Sequence, residues 1–266
     1  RQVVAACIHC AGTHNNLPSG GWGWFWVGHP DAGFGRHQPA GWAYSILPFI
    51  DQANLHDVAK GGTNAQIQAA MAQLVAAPLP LLNCPNRRNY GPFKNYYGYT
   101  YYFANSTAPL LARTDYAINA GDQNVNQYFA GPGSWMPAPS DDAWTGWHDT
   151  SGLTGVSFER SEIRISQIDK GTSQTLLVAE KYLNPDHYYT GEDGADNECQ
   201  YTGFNNDNFR VTYDLPRRDQ KGWTNYTIFG SSHQYGINVT FCDGSAKTIA
   251  WNVDPAVWKK YGRRME

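Results

Sequence analysis

The sequence predicts an α+β fold, with helices early in the chain and an antiparallel sheet late. Apolar residues recur at helical spacing in the first third, and β-prone runs dominate the last third. Asp243-Gly244 lies between two of those runs. Asp-Gly between β-prone segments is a strong hairpin signal, because tight turns need positive φ. The strand–helix–strand alternation of a parallel sheet is missing.

Each element follows from a local signal. Residues 3–14 read as a helix end, with Val3, Cys7, Cys10 and His14 on one face. Residues 17–41 are a loop rich in Gly, Pro and Trp. Residues 41–59 read as a helix carrying Trp42, Ile46, Phe49, Ile50 and Leu55, started or kinked by Pro48. Thr63 and Gln66 have capping-box spacing before the stripe Ile67, Ala70, Met71, Leu74 and Val75, which Pro78 and Pro80 end. The Tyr-rich segment 90–103 reads as a strand, 115–122 as a polar loop and 131–155 as a long irregular insertion. Residues 162–165 and 175–181 read as strands joined through an Asp169-Lys170-Gly171 turn. A polar excursion over 182–219 follows. The hairpin then pairs 237–242 with 246–251. Asp254 caps a last helix with Pro255 at its first position, and Gly262 stops it. Neither a repeat nor a linker interrupts the chain, so 1–266 reads as one domain.

Composition excludes several classes. Charged residues are 16% and aromatics 14% of 266, and mean hydropathy is −0.54, which suits neither disorder nor a membrane interior. The 27 Gly and 15 Pro predict long ordered loops, and 10 Trp and 17 Tyr can still give such a chain a core. Net charge is −3 with no basic stripe, so nucleic acid is not an expected partner. Lys259-Lys260 and Arg263-Arg264 suit the last turn of a helix. No run of about 18 apolar residues spans a bilayer. The chain opens on Arg1 without a signal-peptide pattern, and so reads as processed or as lacking its natural start.

Several constellations invite chemistry. His233 and Asp243 flank a strand that would hold them roughly 20 to 30 Å apart, so a structural role is favoured: His233 at the strand start, Asp243-Gly244 at the turn. Cys7, Cys10 and His14 have metal-ligand spacing, but an apolar helix face is the favoured reading. The five cysteines, Cys7, Cys10, Cys84, Cys199 and Cys242, leave at least one unpaired within the chain. Asp193, Asp196, Glu198 and Asp207 offer oxygens for calcium, against a solvated or locally hydrogen-bonded loop. Alternating Trp22, Trp24 and Trp26 would share one face if extended, with burial favoured over exposure to sugar rings. Asn105, Asn225 and Asn238 open Asn-x-Ser/Thr sequons. No nucleophile elbow, P-loop or dinucleotide fingerprint occurs.

The last hairpin carries a family resemblance. Phe229-Gly230-Ser231-Ser232-His233, nine residues, then Asp243-Gly244-Ser245 resembles the signature of a large bacterial family with a prepilin-type N-terminus. Further similar stretches are Leu17-Pro18-Ser19-Gly20-Gly21-Trp22-Gly23-Trp24, Ile46-Leu47-Pro48-Phe49-Ile50-Asp51-Gln52 and Cys84-Pro85-Asn86-Arg87-Arg88. Asp115-Tyr116-Ala117, Gly171-Thr172-Ser173-Gln174-Thr175 and Val178-Ala179-Glu180-Lys181 follow in order. The resemblance implies a type IV pilin-like head: the tail of an N-terminal helix (1–16) packed on an antiparallel sheet within a globular part (17–266). Ile8 and Gly12 depart from the polar residues expected in that helix. It implies no enzymatic activity. The expected function is a structural subunit of an extracellular filament or cell-surface assembly, partnered by its own copies. A carbohydrate-binding or adhesive surface module is the alternative. No cofactor is expected beyond the candidate calcium.

Overall fold

The computed structural model describes residues 1–125 and 130–266. Helix α1, Gln2–His14, buries Val3, Val4, Ala6, Cys7, Cys10 and Ala11 and leaves Ala5, His9, Gly12 and Thr13 to solvent. Asn15 ends it in the left-handed conformation, which Asn tolerates better than most residues.

The helix expected over 41–59 is instead three short pieces: α2 (Trp42–Ser45), a 3₁₀ turn (Leu47–Ile50) and α3 (Ala53–His56). Pro48 has no N–H to continue α2, and Asp51 turns the chain with φ of 60°. Helix α4, Asn64–Leu74, has the reciprocal cap its sequence predicts. The Thr63 amide donates to Gln66 Oε1 at 2.8 Å while the Gln66 amide donates back to Thr63 Oγ1 at 3.4 Å. Ile67, Met71 and Leu74 are its buried stripe.

Only Pro92–Lys94 (β1) of the expected 90–103 strand forms, paired antiparallel with β2, Leu110–Ala112. Asn95 folds the chain back: its Nδ2 donates to the Tyr99 and Ala108 carbonyls, and its Oδ1 accepts from the Tyr99 amide. A second correction lies at 115–122, where β3, Tyr116–Asn119, replaces the expected polar loop. Asn119 suits a buried strand because its Nδ2 is taken by the Leu176 and Gly262 carbonyls. Residues 162–165 form no strand: Gln167 Oε1 caps the Arg164 amide and starts a 3₁₀ turn.

The main sheet continues with β4 (Leu176–Glu180) and β5 (Phe209–Arg210). After the ribbon of β6 (Arg217–Arg218) and β7 (Gly230–Ser231), it ends with β8 (Gly236–Phe241) and β9 (Ala246–Ala250). Its order is β5-β3-β4-β8-β9. Three pairs are antiparallel as expected, but β3 and β5 run parallel, so the sheet is mixed. Alternation, interrupted by a bulge between Leu176 and Val178, splits its side chains between two cores. Ile118, Leu177 and Val178 join the large core with α1, whereas Ala117, Leu176, Ala179, Ile237 and Phe241 surround Trp258 of α5, Pro255–Tyr261. Asp254 Oδ1 caps α5 through the Ala256 and Val257 amides. Gly262 follows with φ of −73°, so left-handed freedom is not its role. A Cβ there would lie 2.0 Å from Thr212 Oγ1, and the site needs Gly for close approach.

Charged side chains lie between these elements. Arg87 Nε meets Asp219 Oδ2 at 2.8 Å, and Arg88 Nη2 meets Asp115 Oδ1 at 2.9 Å. Arg88 also holds Asp196 with two hydrogen bonds, and Lys181 Nζ lies 2.9 Å from Asp196 Oδ1. All six side chains are buried. Three cations face three carboxylates, so the group is formally neutral, which a low-dielectric interior requires. Burial lowers the Lys181 pKa. Burial raises Asp196, but Arg88 and Lys181 outweigh it and leave the carboxyl well below the usual range. Beside them, burial and the neighbouring Asp207 carboxylate push Glu198 well up.

The hairpin turn differs in detail from the type I′ turn that Asp-Gly favours, which needs positive φ at both residues. The Gly244 amide donates to the Phe241 carbonyl, Asp243 Oδ1 accepts from the Ser245 amide at 2.8 Å, and positive φ falls on Gly244 at 86° but not on Asp243. Gly244→Val is therefore expected to lower folding yield, whereas Asp243→Asn, whose Oδ1 accepts the same bond, leaves Tm nearly unchanged. Comparable yields for the two variants would refute this account. Arg88→Met takes one cation from two buried carboxylates, leaving Asp196 to Lys181 and Asp115 to Arg87 with one negative charge uncompensated, and is expected to cost about 3–5 kcal/mol in urea denaturation. Because the folded state raises Glu198 above its unfolded value of about 4.3, charging it costs stability as pH rises past that value. Glu198→Gln is expected to raise Tm near about pH 8 with little change near about pH 4; thermal melts at both pH values check the sign.

Candidate functional site

Residues from three distant stretches meet beside β8. Cys84 sits on the turn that also carries Arg87 and Arg88, and its amide donates to Asp115 Oδ2 at 2.7 Å. Glu180 ends β4, with Oε2 accepting the Asn238 amide at 3.0 Å. His233 precedes β8, and its amide donates to Ser231 Oγ at 3.2 Å. His233 Nε2 lies 3.2 Å from Glu180 Oε1 and 3.8 Å from Cys84 Sγ. Cys84 and Glu180 are buried, while the His233 side chain is one-third exposed. A cleft of about 490 Å³ opens there, lined by Asn86, Arg218, Ser232, Gln234 and Tyr235 among others.

This arrangement is poorly suited to nucleophilic chemistry. Burial, with the Glu180 carboxylate second, pushes the Cys84 thiol up to about 11, so the thiolate is scarce at neutral pH. The Ser232 hydroxyl accepts from Asn86 Nδ2 at 3.1 Å, which engages it with an amide instead of the imidazole. Asp243 stays at the far end of β8, with Ser245 and Lys247 as its partners. Through Glu180, His233 joins the start of β8 to the end of β4. Sequence reasoning did not pair it with Cys84 or Glu180. The available signal was Glu180 itself, a charge closing the otherwise apolar run Leu176–Ala179, which burial obliges to find a partner.

The carboxylates considered for calcium have other partners. Asp196 is held by Arg88 and Lys181. Asp193 accepts from the Asn184 and Ala195 amides, and Asp207 Oδ1 from the Glu198 amide. No three of these four carboxylates bring ligand oxygens within 4.8 Å of one another, so they do not form a cation shell. Of the alternative, the locally hydrogen-bonded loop is what forms, and only its solvation is corrected, because all four are buried. Cys7 and Cys10 are buried on α1, and neighbouring Cys242 raises the Cys7 thiol further after burial has done so. His14 is not with them; it stacks on Phe34 at 3.6 Å. All five cysteines are free thiols.

The tryptophans do not share one face, because a turn closed by the Trp26 amide on the Gly23 carbonyl interrupts the extended chain. Trp22 and Trp26 are buried 5.1 Å apart, and Trp24 is half-buried against Phe25. Asn105 and Asn238 are exposed. Asn225 is half-buried, with its Oδ1 accepting from the Thr227 and Ile228 amides.

Tyrosine, by contrast, reaches solvent. Tyr90, Tyr96, Tyr97, Tyr189, Tyr213, Tyr226 and Tyr235 are all exposed. Around β1 they gather: Tyr96 and Tyr97 lie 5.0 Å apart edge to face, Lys94 caps the Tyr96 ring, and Tyr189 lies 6.2 Å from Phe93. Among the described residues, no helix is long and apolar enough to cross a membrane.

Neither a curated protein nor a solved structure matches the chain significantly. A protein-family model does match, over residues 1–256 of 266, and its description is "Protein of unknown function (DUF1559)". That match spans α1, the whole sheet, the Cys84 turn and the start of α5, and the chain belongs to this family.

Proposed function

We propose that the chain is a structural subunit of an extracellular surface assembly, pilin-like in build, that contacts its own copies and catalyses no reaction. The observation that carries this reading is the exposed aromatic patch around β1, set on a surface with few charges. Tyr96, Tyr97 and Tyr189 offer large rigid rings with a polar tip, the kind of side chain enriched where proteins meet. Only 16% of the chain is charged, so like-charge repulsion between copies is weak. An N-terminal helix laid on one face of the sheet, and the spacing of His233 to Asp243-Gly244, support the pilin-like part of the proposal.

The carbohydrate-binding alternative is favoured by a different place. Tyr235, 79% exposed, stands over the polar cleft lined by Asn86, Ser232 and Gln234, where a ring can stack on a sugar while amides bind its hydroxyls. Tyr235→Ala should abolish binding on a glycan array if that reading holds.

For assembly, the gene product with its native N-terminus is expected to form larger species as concentration rises in sedimentation velocity. Tyr96→Ser combined with Tyr97→Ser should reduce them at least several-fold, while Tm changes little because both side chains are surface residues. A wild-type protein that stays monomeric at its solubility limit refutes the proposal. So does a double variant that assembles like the wild type.

A further inference from the structure

We propose that Cys84, Glu180 and His233 form a three-ligand site for zinc(II), with the fourth position open to the cleft beside β8. The argument is geometric. With Zn–S near about 2.3 Å and Zn–N and Zn–O near about 2.0–2.1 Å, tetrahedral angles require S···N of roughly 3.6 Å and N···O of roughly 3.3–3.4 Å. The protein sets Cys84 Sγ and His233 Nε2 at 3.8 Å and His233 Nε2 and Glu180 Oε1 at 3.2 Å. All three ligand atoms lie within 4.8 Å of one another, and the two distances from His233 Nε2 are within about 0.2 Å of those a tetrahedral ion needs.

The donor set also fits. Thiolate, imidazole and carboxylate together suit zinc and not calcium or magnesium, which prefer oxygen shells. One thiolate and one carboxylate neutralise the ion's two charges. Binding releases the Cys84 thiol proton to solvent, and His233 ligates through Nε2 with its proton on Nδ1. The supporting contacts hold the ligands from outside: the Cys84 amide on Asp115, the Asn238 amide on the second Glu180 oxygen, and the His233 amide on Ser231. Arg87, the nearest cation on the same turn, is engaged by Asp115 and Asp219.

The second described cluster of this kind, His37 with Asp141 and Asp142, is different. Arg160 reaches both carboxylates and Arg36 reaches Asp142, so cations already stand where an ion would.

The exposed edge of His233 and the cleft give the fourth position to water or to a small donor from solvent. Three protein ligands and an open place is the pattern of zinc sites that exchange a ligand, whereas closed structural sites use four. The proposal stands whether or not the chain assembles.

The test uses dialysed whole protein titrated with zinc chloride against a chromophoric chelator, and with cobalt chloride as a spectroscopic stand-in. One equivalent of zinc is expected to bind and raise Tm, and cobalt should give a thiolate-to-metal band in the near ultraviolet. Cys84→Ser should abolish that band, and His233→Gln should weaken zinc binding at least 10-fold; Cys242→Ser should change neither. His233 is partly exposed, so its variant is expected to fold, as circular dichroism can check. Absence of stoichiometric zinc, or a cobalt complex without the thiolate band, overturns the site. So does a folded His233→Gln protein with unchanged affinity.

Discussion

The fold depends on a neutralised set of charges at its centre. Arg87 and Arg88 lie on one turn, Asp115 just before β3, Lys181 just after β4, Asp196 in the long excursion and Asp219 after β6. These stretches are far apart in sequence. Each cation ties two or three of them together, and Arg87 adds bonds to the Asp115, Lys181 and Gly230 carbonyls. A loop-rich chain has many carbonyls that no helix or sheet satisfies, and buried Arg and Lys supply donors for them. Arg210 does the same, reaching the Ile228 and Phe209 carbonyls. The net stabilisation from such a network is modest once desolvation is counted, but breaking one member leaves a bare charge inside.

That network explains what was readable in the sequence and what was not. Signals confined to a few neighbouring residues survived: the Thr63–Gln66 cap, the Asp254-Pro255 helix start and, with a different turn type, the hairpin at Asp243-Gly244. The expectation of an early-helix, late-strand α+β order also held. Failures came where distant partners decide. Residues 115–122 look polar, yet Asp115 is matched by Arg88 and Asn119 by two carbonyls, so the segment is a central strand. The 90–103 stretch looks β-prone, but Asn95 folds it back on itself. The acidic loop resembled a cation site because its cations, Arg88 and Lys181, stand 108 and 15 positions from Asp196.

The candidate site shows the same limit more sharply. His233 was conspicuous through its spacing to Asp243, yet the two occupy opposite ends of β8. Its real neighbours lie 53 positions away in Glu180 and 149 away in Cys84. No periodicity within one element relates such residues. The register of β4 on β8 and the anchoring of the Cys84 turn by Asp115 bring them together, so the site is a product of the sheet and of the charge network behind it.

The mixed sheet has unequal borders. Beyond β5 the chain continues into Val211, which bridges to Ile228, and that side is buried. At the other border β9 is exposed along most of its length, with Lys247 on it. An edge that meets its own copy does so about a two-fold axis when the strands run antiparallel, and such a contact uses up both edges in a closed pair. Growth of a long polymer instead needs two different surfaces that meet head to tail. A molecule with one bare border can therefore dimerise through it or be guarded there by its lysine, but it does not lengthen by that route. Any repeating contact has to join unlike patches, so the β9 edge alone does not supply one.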